Sequence, residues 1–162
     1  MKTYLKLCLC GIILLIQSLA TAQTAIDRKS YYKTLSGEDL AAIDAQIAVC
    51  KKHKDGKGYE AALVMRKAGV VSGIGQKYTL FKDGSKAMEA AIKAEPNNTE
   101  LRFLRLMIQE QAPSLLGYSS KIDEDSKMVI KNFKDLPTET QHAVAGYSKK
   151  SKVLSAKDVK PE

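Results

Sequence analysis

The stretch of sequence that decides the fold is AMEAAIKAEPNNTELRFLR, residues 87–105. Apolar side chains recur at helical spacing on both sides of Pro96-Asn97-Asn98, for example Ile92 before it and Leu101 after it. Proline cannot continue a helix, and an asparagine side chain accepts hydrogen bonds from the N-terminus of the next one. The stretch therefore predicts two consecutive helices that are joined by a tight turn.

The helical pattern continues on both sides of this stretch. Leu40, Ile43, Ile47 and Cys50 follow one another at spacings of three and four residues, which is typical of one face of a helix. No segment shows strand alternation followed by a hairpin turn. We therefore expect an all-α fold of five to six antiparallel helices, arranged as stacked helix pairs or as a small closed bundle.

Residues 87–105 resemble the junction of two tetratricopeptide repeats, with Ala91 and Pro96 at that family's spacing and Met88 in the place of its usual phenylalanine. The resemblance implies a degenerate repeat of stacked helix pairs, whose groove would bind a protein or a peptide.

The following run, Gln109 to Tyr118, is similar to exported helical proteins of Gram-negative bacteria. That similarity implies a fold and a compartment, without an activity.

The N-terminal residues predict a signal peptide over residues 1–22. A positive start with Lys2 and Lys6 precedes an apolar run that is shorter than a membrane span, and Ala20-Thr21-Ala22 supplies the small-residue cleavage site. The protein is then expected to be exported to the periplasm, or secreted, without a transmembrane anchor.

Three further segments are expected after the signal peptide. Residues 23–35 are interpreted as a polar lead-in segment, residues 36–151 as a single helical domain, and residues 152–162 as a frayed, lysine-rich tail. Two of the 3 cysteines lie in the signal peptide, so Cys50 has no partner for a disulfide.

The chain is basic, with 26 Lys and Arg against 18 Asp and Glu and a formal net charge of +8. Only four of these cations are arginines, whereas base-reading proteins rely on arginine forks. Together with export, this argues against a nucleic-acid partner. A lysine-rich surface leaves open an association with anionic cell wall or lipid.

No catalytic or metal-binding constellation stands out. Cys50 and His53 are one helical turn apart, but a zinc site needs three or four ligands, so we expect no metal and no cofactor. The acids at 123–125 suit the positive end of a helix without any ligand. The alternative is an enzyme whose pocket brings His142 or His53 beside a carboxylate.

Arginines cluster on the helix that follows Pro96. Arg102, Arg105 and Gln109 are at positions i, i+3 and i+7, so they share one face, and Tyr118 could line the same surface. Such guanidinium groups could bind a partner's carboxylate or phosphate. The alternative is that they pair with acids of a neighbouring helix, such as Glu89 or Asp125.

The most economical hypothesis is a non-enzymatic module of the periplasm that binds a protein or a peptide of the cell envelope in a helical groove. Under that hypothesis Arg102, Arg105, Gln109 and Tyr118 are the candidate partner-binding residues.

Overall fold

The computed structural model describes residues 25–161. Within that range the chain forms seven α-helices and two short 3-10 turns, with no strand, which confirms the all-α class. The helices are α1 (Arg28–Ser36), α2 (Leu40–Lys52), α3 (Lys57–Val70), α4 (Ile74–Ala94), α5 (Thr99–Gln111), α6 (Ile122–Lys131) and α7 (Thr138–Ser148). The 3-10 turns are Ser114–Leu116 and Phe133–Asp135. The predicted signal peptide and its cleavage residues Ala20 and Ala22 lie outside the described residues.

The predicted polar lead-in segment is wrong for most of its length, because it contains α1. Asp27 caps this helix by accepting hydrogen bonds from the backbone N–H groups of the second and third residues after it. Tyr31, Tyr32 and Leu35 lie on one face and are buried, with exposed fractions of 0%, 8% and 3%. The additional helix is one reason why the structure has more helices than the five to six expected.

The expectation of a frayed tail is also wrong for residues 152–161. Leu154 and Val159 are buried in the common core. The Glu110 carboxylate at the end of α5 holds the start of the tail, because it accepts hydrogen bonds of 2.7 Å from both the Ser151 hydroxyl and the Lys152 backbone N–H. Two apolar anchors and one carboxylate thus attach a segment whose composition is otherwise polar.

Helix α5 lies at the centre of the molecule. It contacts α3, α4, α6 and α7, and its residues Leu101, Phe103, Leu104 and Leu106 are at most 1% exposed. The first and last described helices, α1 and α7, also contact each other. In a solenoid each repeat contacts only its neighbours, so these contacts are typical of a closed bundle, and the described residues do not show a tetratricopeptide-like repeat.

Helices α3 and α4 approach each other closely at Gly84. A Cβ atom added there would lie 2.6 Å from Met65 Cγ and 3.1 Å from the Ala61 carbonyl oxygen. Glycine is therefore required in the middle of α4 despite its low helix propensity.

Among residues 25–161, no helix combines the length and the apolar character that crossing a membrane requires.

Candidate functional site

Arg105, a predicted partner-binding residue, is inside the domain. Its side chain is 2% exposed and forms a two-pronged ion pair with the fully buried Asp125 of α6, with Nε to Oδ2 and Nη2 to Oδ1 distances of 2.7 Å. Its third nitrogen, Nη1, donates to Glu89 of α4 at 2.6 Å. The guanidinium group therefore joins α4, α5 and α6, and it has no free edge for a partner.

Arg102 extends the same network toward the surface. Its Nη1 donates to Glu124 at 2.7 Å and to Asp125 at 3.2 Å, and Nη2 donates to the Pro96 carbonyl oxygen at 3.1 Å. Its side chain is 12% exposed. The acids at 123–125 do lie in the first turn of α6, as expected from the helix dipole, but two of them also bind these arginines.

The other two predicted residues, Gln109 and Tyr118, have separate surroundings. Tyr118 joins the network, because its hydroxyl donates to Glu89 at 2.8 Å and its ring packs edge-on against Phe81 with the ring centres 5.5 Å apart. Gln109 is 3% exposed, and its Oε1 has no hydrogen-bond partner among the described residues. The structure thus brings Arg102, Arg105 and Tyr118 together with Glu89 and Asp125, in agreement with the alternative of pairing inside the domain.

A second buried carboxylate, Glu100, ties α1 to α5 and α7. It accepts hydrogen bonds from Arg28 Nε at 3.0 and 3.1 Å, from the Tyr32 hydroxyl at 2.9 Å and from the Thr140 hydroxyl at 2.8 Å. Burial, reinforced by the Glu100 charge, raises the pKa of Tyr32 well above its ordinary value. A polar cavity of about 530 Å³ adjoins this cluster. Because the Glu100 oxygens are occupied by donors of this chain, we interpret the cluster as structural.

A groove of about 720 Å³ lies between α3, α4 and α5. The end of α1 and the 3-10 turn Ser114–Leu116 complete its walls. Buried and half-buried apolar side chains lie along it, namely Leu35, Met65, Phe81, Met107, Ile108 and Leu116. We call this surface the apolar groove.

Exposed apolar side chains gather on the edges of the apolar groove. Five large apolar side chains of the described residues are exposed, and three of them, Ile74, Tyr78 and Leu115, line this groove, with exposed fractions of 86%, 58% and 95%. Single exposed apolar residues are ordinary on protein surfaces, whereas a contiguous group is typical of an interaction site. The other two, Leu40 and Val49, lie on α2, away from the groove.

Three cations and one acid also line the apolar groove. Arg66 donates to the Gly37 carbonyl oxygen at 2.9 Å and to Glu38 at 3.3 Å, so these two charges compensate each other. Lys77 is half-buried and pairs with no carboxylate of residues 25–161. The ammonium of the exposed Lys150 lies 5.3 Å from the centre of the Tyr147 ring. The groove therefore carries an excess of positive charge.

The residues considered for catalysis or metal binding lie in different surroundings. Cys50 is fully buried, and burial together with the Glu60 charge raises the pKa of its thiol to about 11. His53 is half-buried at the end of α2, and His142 is exposed on α7. Within the described range, no group of three or more His, Cys, Asp or Glu side chains is placed to hold a metal ion.

The sequence did contain a signal for the apolar groove. Ile74, Tyr78 and Phe81 stand at positions i, i+4 and i+7, and they form an apolar stripe on the first half of α4 that Met88 and Ile92 continue on its second half. Apolar side chains in the loop around Leu115 are a further signal. The arginine pattern instead predicted a binding site on α5, at Arg102 and Arg105.

No protein-family model, no curated protein and no solved structure matches this chain.

Proposed function

We propose that the protein is a non-enzymatic binding module of the cell envelope, acting after export, and that the apolar groove binds a protein or peptide partner. The observation that carries the proposal is that exposed apolar side chains gather on one groove, at Ile74, Tyr78 and Leu115. Covering a side chain of this size contributes about 1.5–3 kcal/mol. A partner that covers the groove therefore gains binding free energy from side chains that residues 25–161 leave exposed.

The exposure of the groove edges favours a macromolecule over a small ligand. A small-molecule site encloses most of its ligand between concave walls. Ile74 and Leu115 instead project into solvent, with exposed fractions of 86% and 95%, so only a partner broader than the groove covers both.

The buried ion-pair network supports the groove from behind. Phe81 lines the groove and packs against Tyr118, which is hydrogen bonded to Glu89, and Glu89 in turn binds Arg105. The network therefore orders the helix that carries Ile74 and Tyr78. Arg102 and Arg105 contribute to binding as supports of the groove and not as contacts to the partner.

Site-specific photo-crosslinking tests the proposal. A photoreactive amino acid replaces Ile74 in one version of the protein and Val49, which is 41% exposed on α2, in a matched control. We expect a discrete product with a component of an envelope extract from position 74 and none from position 49. The product should disappear when Leu115→Asp is added and persist in high salt.

Equal labelling from both positions would contradict the proposal, because it would indicate indiscriminate contact. Products that vanish in moderate salt but ignore Leu115→Asp would favour the alternative, in which the basic surface associates with anionic cell wall or lipid.

A further inference from the structure

We propose that the occupant of the apolar groove is an amphipathic α-helix of a partner protein that carries acidic residues beside its apolar face. This inference rests on the proposed function and adds the chemistry of the partner. It follows from the charge of the groove, from the hydrogen bonding of its walls and from the spacing of its side chains.

The most informative charge in the groove is that of Lys77. Ile74, Lys77, Tyr78 and Phe81 are at positions i, i+3, i+4 and i+7 of α4, so the ammonium rises from the same face as the exposed apolar stripe. Lys77 is half-buried and has no carboxylate partner within residues 25–161. A partly desolvated cation inside an interface is favourable only when the partner brings a negative charge to it.

The other charges of the groove also favour an acidic partner. Glu38 is the one acid that lines the groove among the described residues, and Arg66 already pairs with it at 3.3 Å. Lys150 adds a second cation, which lies 5.3 Å from the centre of the Tyr147 ring. A basic partner would therefore meet uncompensated repulsion, whereas an acidic one would meet two available ammonium groups.

The hydrogen bonding of the groove walls favours a helical partner. The groove walls are mainly α3, α4 and α5, whose backbone groups are hydrogen bonded within each helix, and no strand edge is present in the described part of the chain. An extended peptide in this groove would bury backbone N–H and C=O groups without partners, which is costly. A helix satisfies its own backbone and presents only side chains, as in other helix-in-groove complexes.

The test uses three dye-labelled helical peptides with one apolar face of leucine and alanine, flanked by glutamate, by glutamine or by lysine. Their binding to the purified protein is measured by fluorescence anisotropy at low and moderate salt, and helix formation by circular dichroism. We expect the glutamate peptide to bind about five-fold or more tightly than the glutamine peptide, and the lysine peptide to bind most weakly. The helical signal of the glutamate peptide should increase on binding.

The variant Lys77→Gln is compared with Lys86→Gln, which changes an exposed lysine on the opposite side of the same helix and removes the same net charge. Lys77→Gln should abolish most of the preference for glutamate, and Lys86→Gln should leave it intact. An equal effect of the two variants would overturn the inference, because the preference would then arise from net charge alone.

The outcomes separate this inference from the function on which it rests. If all three peptides bind equally and Ile74→Asp abolishes binding, the groove is a peptide site and the acidic partner is wrong. If binding occurs without a gain in helical signal, the helical partner is wrong. If no peptide binds while dodecanoate binds in an Ile74-dependent manner, both the inference and the proposed function fail.

Discussion

The two halves of α4 contain similar apolar stripes and have opposite surroundings. In the second half, Met88 and Ile92 are 0% and 5% exposed and belong to the core. In the first half, Ile74 and Tyr78 are 86% and 58% exposed beside the apolar groove. The second half is held by the ion pair of Glu89 with Arg105, whereas nothing in the described chain covers the first half at these two positions.

Under the proposed function, one helix serves both stability and recognition. A well-anchored half keeps the helix in place, so the other half can leave apolar side chains exposed without losing its conformation. If this interpretation is right, substituting the buried apolar side chains of the second half changes the free energy of unfolding, and substituting the exposed apolar side chains of the first half changes binding.

The largest effect is expected from Arg105→Ala. The substitution leaves the fully buried Asp125 without its two-pronged partner and releases Glu89, so we expect a loss of about 3–5 kcal/mol in the free energy of unfolding. Urea denaturation monitored by circular dichroism measures it. Lys67→Ala, which removes an ion pair to the exposed Asp44, is the control and should cost about 0.2–1 kcal/mol. Equal costs for the two variants would contradict the role assigned to the buried network.

The next largest changes in stability are expected from substitutions of two glycines of α4. In Gly84→Ala the new methyl group lies 2.6 Å from Met65 Cγ, so we expect a loss of about 1–3 kcal/mol from overpacking. In Gly75→Ala nothing lies within 4 Å of the new atom, and alanine is the better helix former, so we expect a gain of about 0.5–1 kcal/mol. Thermal unfolding of both variants gives the comparison. A destabilising Gly75→Ala would mean that the first half of α4 is more closely packed than the structure indicates.

A smaller change in stability is expected from the groove variant Ile74→Asp with Leu115→Asp. Both side chains are almost fully exposed, so the free energy of unfolding should change by less than about 0.5 kcal/mol for each substitution. Partner binding should nevertheless be lost. Denaturation and anisotropy measured on the same preparation test both statements. A strongly destabilised variant with intact binding would contradict the assignment of binding to the first half of α4 and of stability to the second half.

The smallest effect concerns Cys50, which reports whether the core stays closed. Burial raises the pKa of its thiol to about 11, so the reactive thiolate is scarce below that pH and becomes abundant only as the pH rises through this value. At pH 8 a thiol reagent should therefore label native protein slowly, and the groove variant should be labelled no faster. Faster labelling of the groove variant would show that its substitutions open the core.

Local signals in the sequence account for much of the fold. The helical stripe of Leu40, Ile43, Ile47 and Cys50 was predicted from spacing. Its last three residues are buried, whereas Leu40 at the start of α2 is 37% exposed. The sequence also indicated Glu89 and Asp125 as possible partners of the arginines, and both bind Arg105. These inferences succeed since spacing and charge act within a turn or between adjacent helices.

The failures have one physical cause. The segment before residue 36 and the tail after residue 151 are polar in composition, so neither suggested a packed element. Each is nevertheless anchored by a few long-range contacts, such as Tyr32 to Glu100 and the tail backbone to Glu110. The sequence shows which residues are polar, but it does not show which of them form hydrogen bonds with residues some 40 or more positions away.

The sequence by itself determined that this chain is helical, where most of its apolar faces run and that Cys50 lies on one of them. Only the tertiary structure decided which faces are covered. The stripe of Ile43, Ile47 and Cys50 and the stripe of Ile74, Tyr78 and Phe81 have closely similar spacing, yet the first is buried and the second borders the apolar groove. Spacing is a property of one helix, whereas burial depends on the neighbours that pack against it.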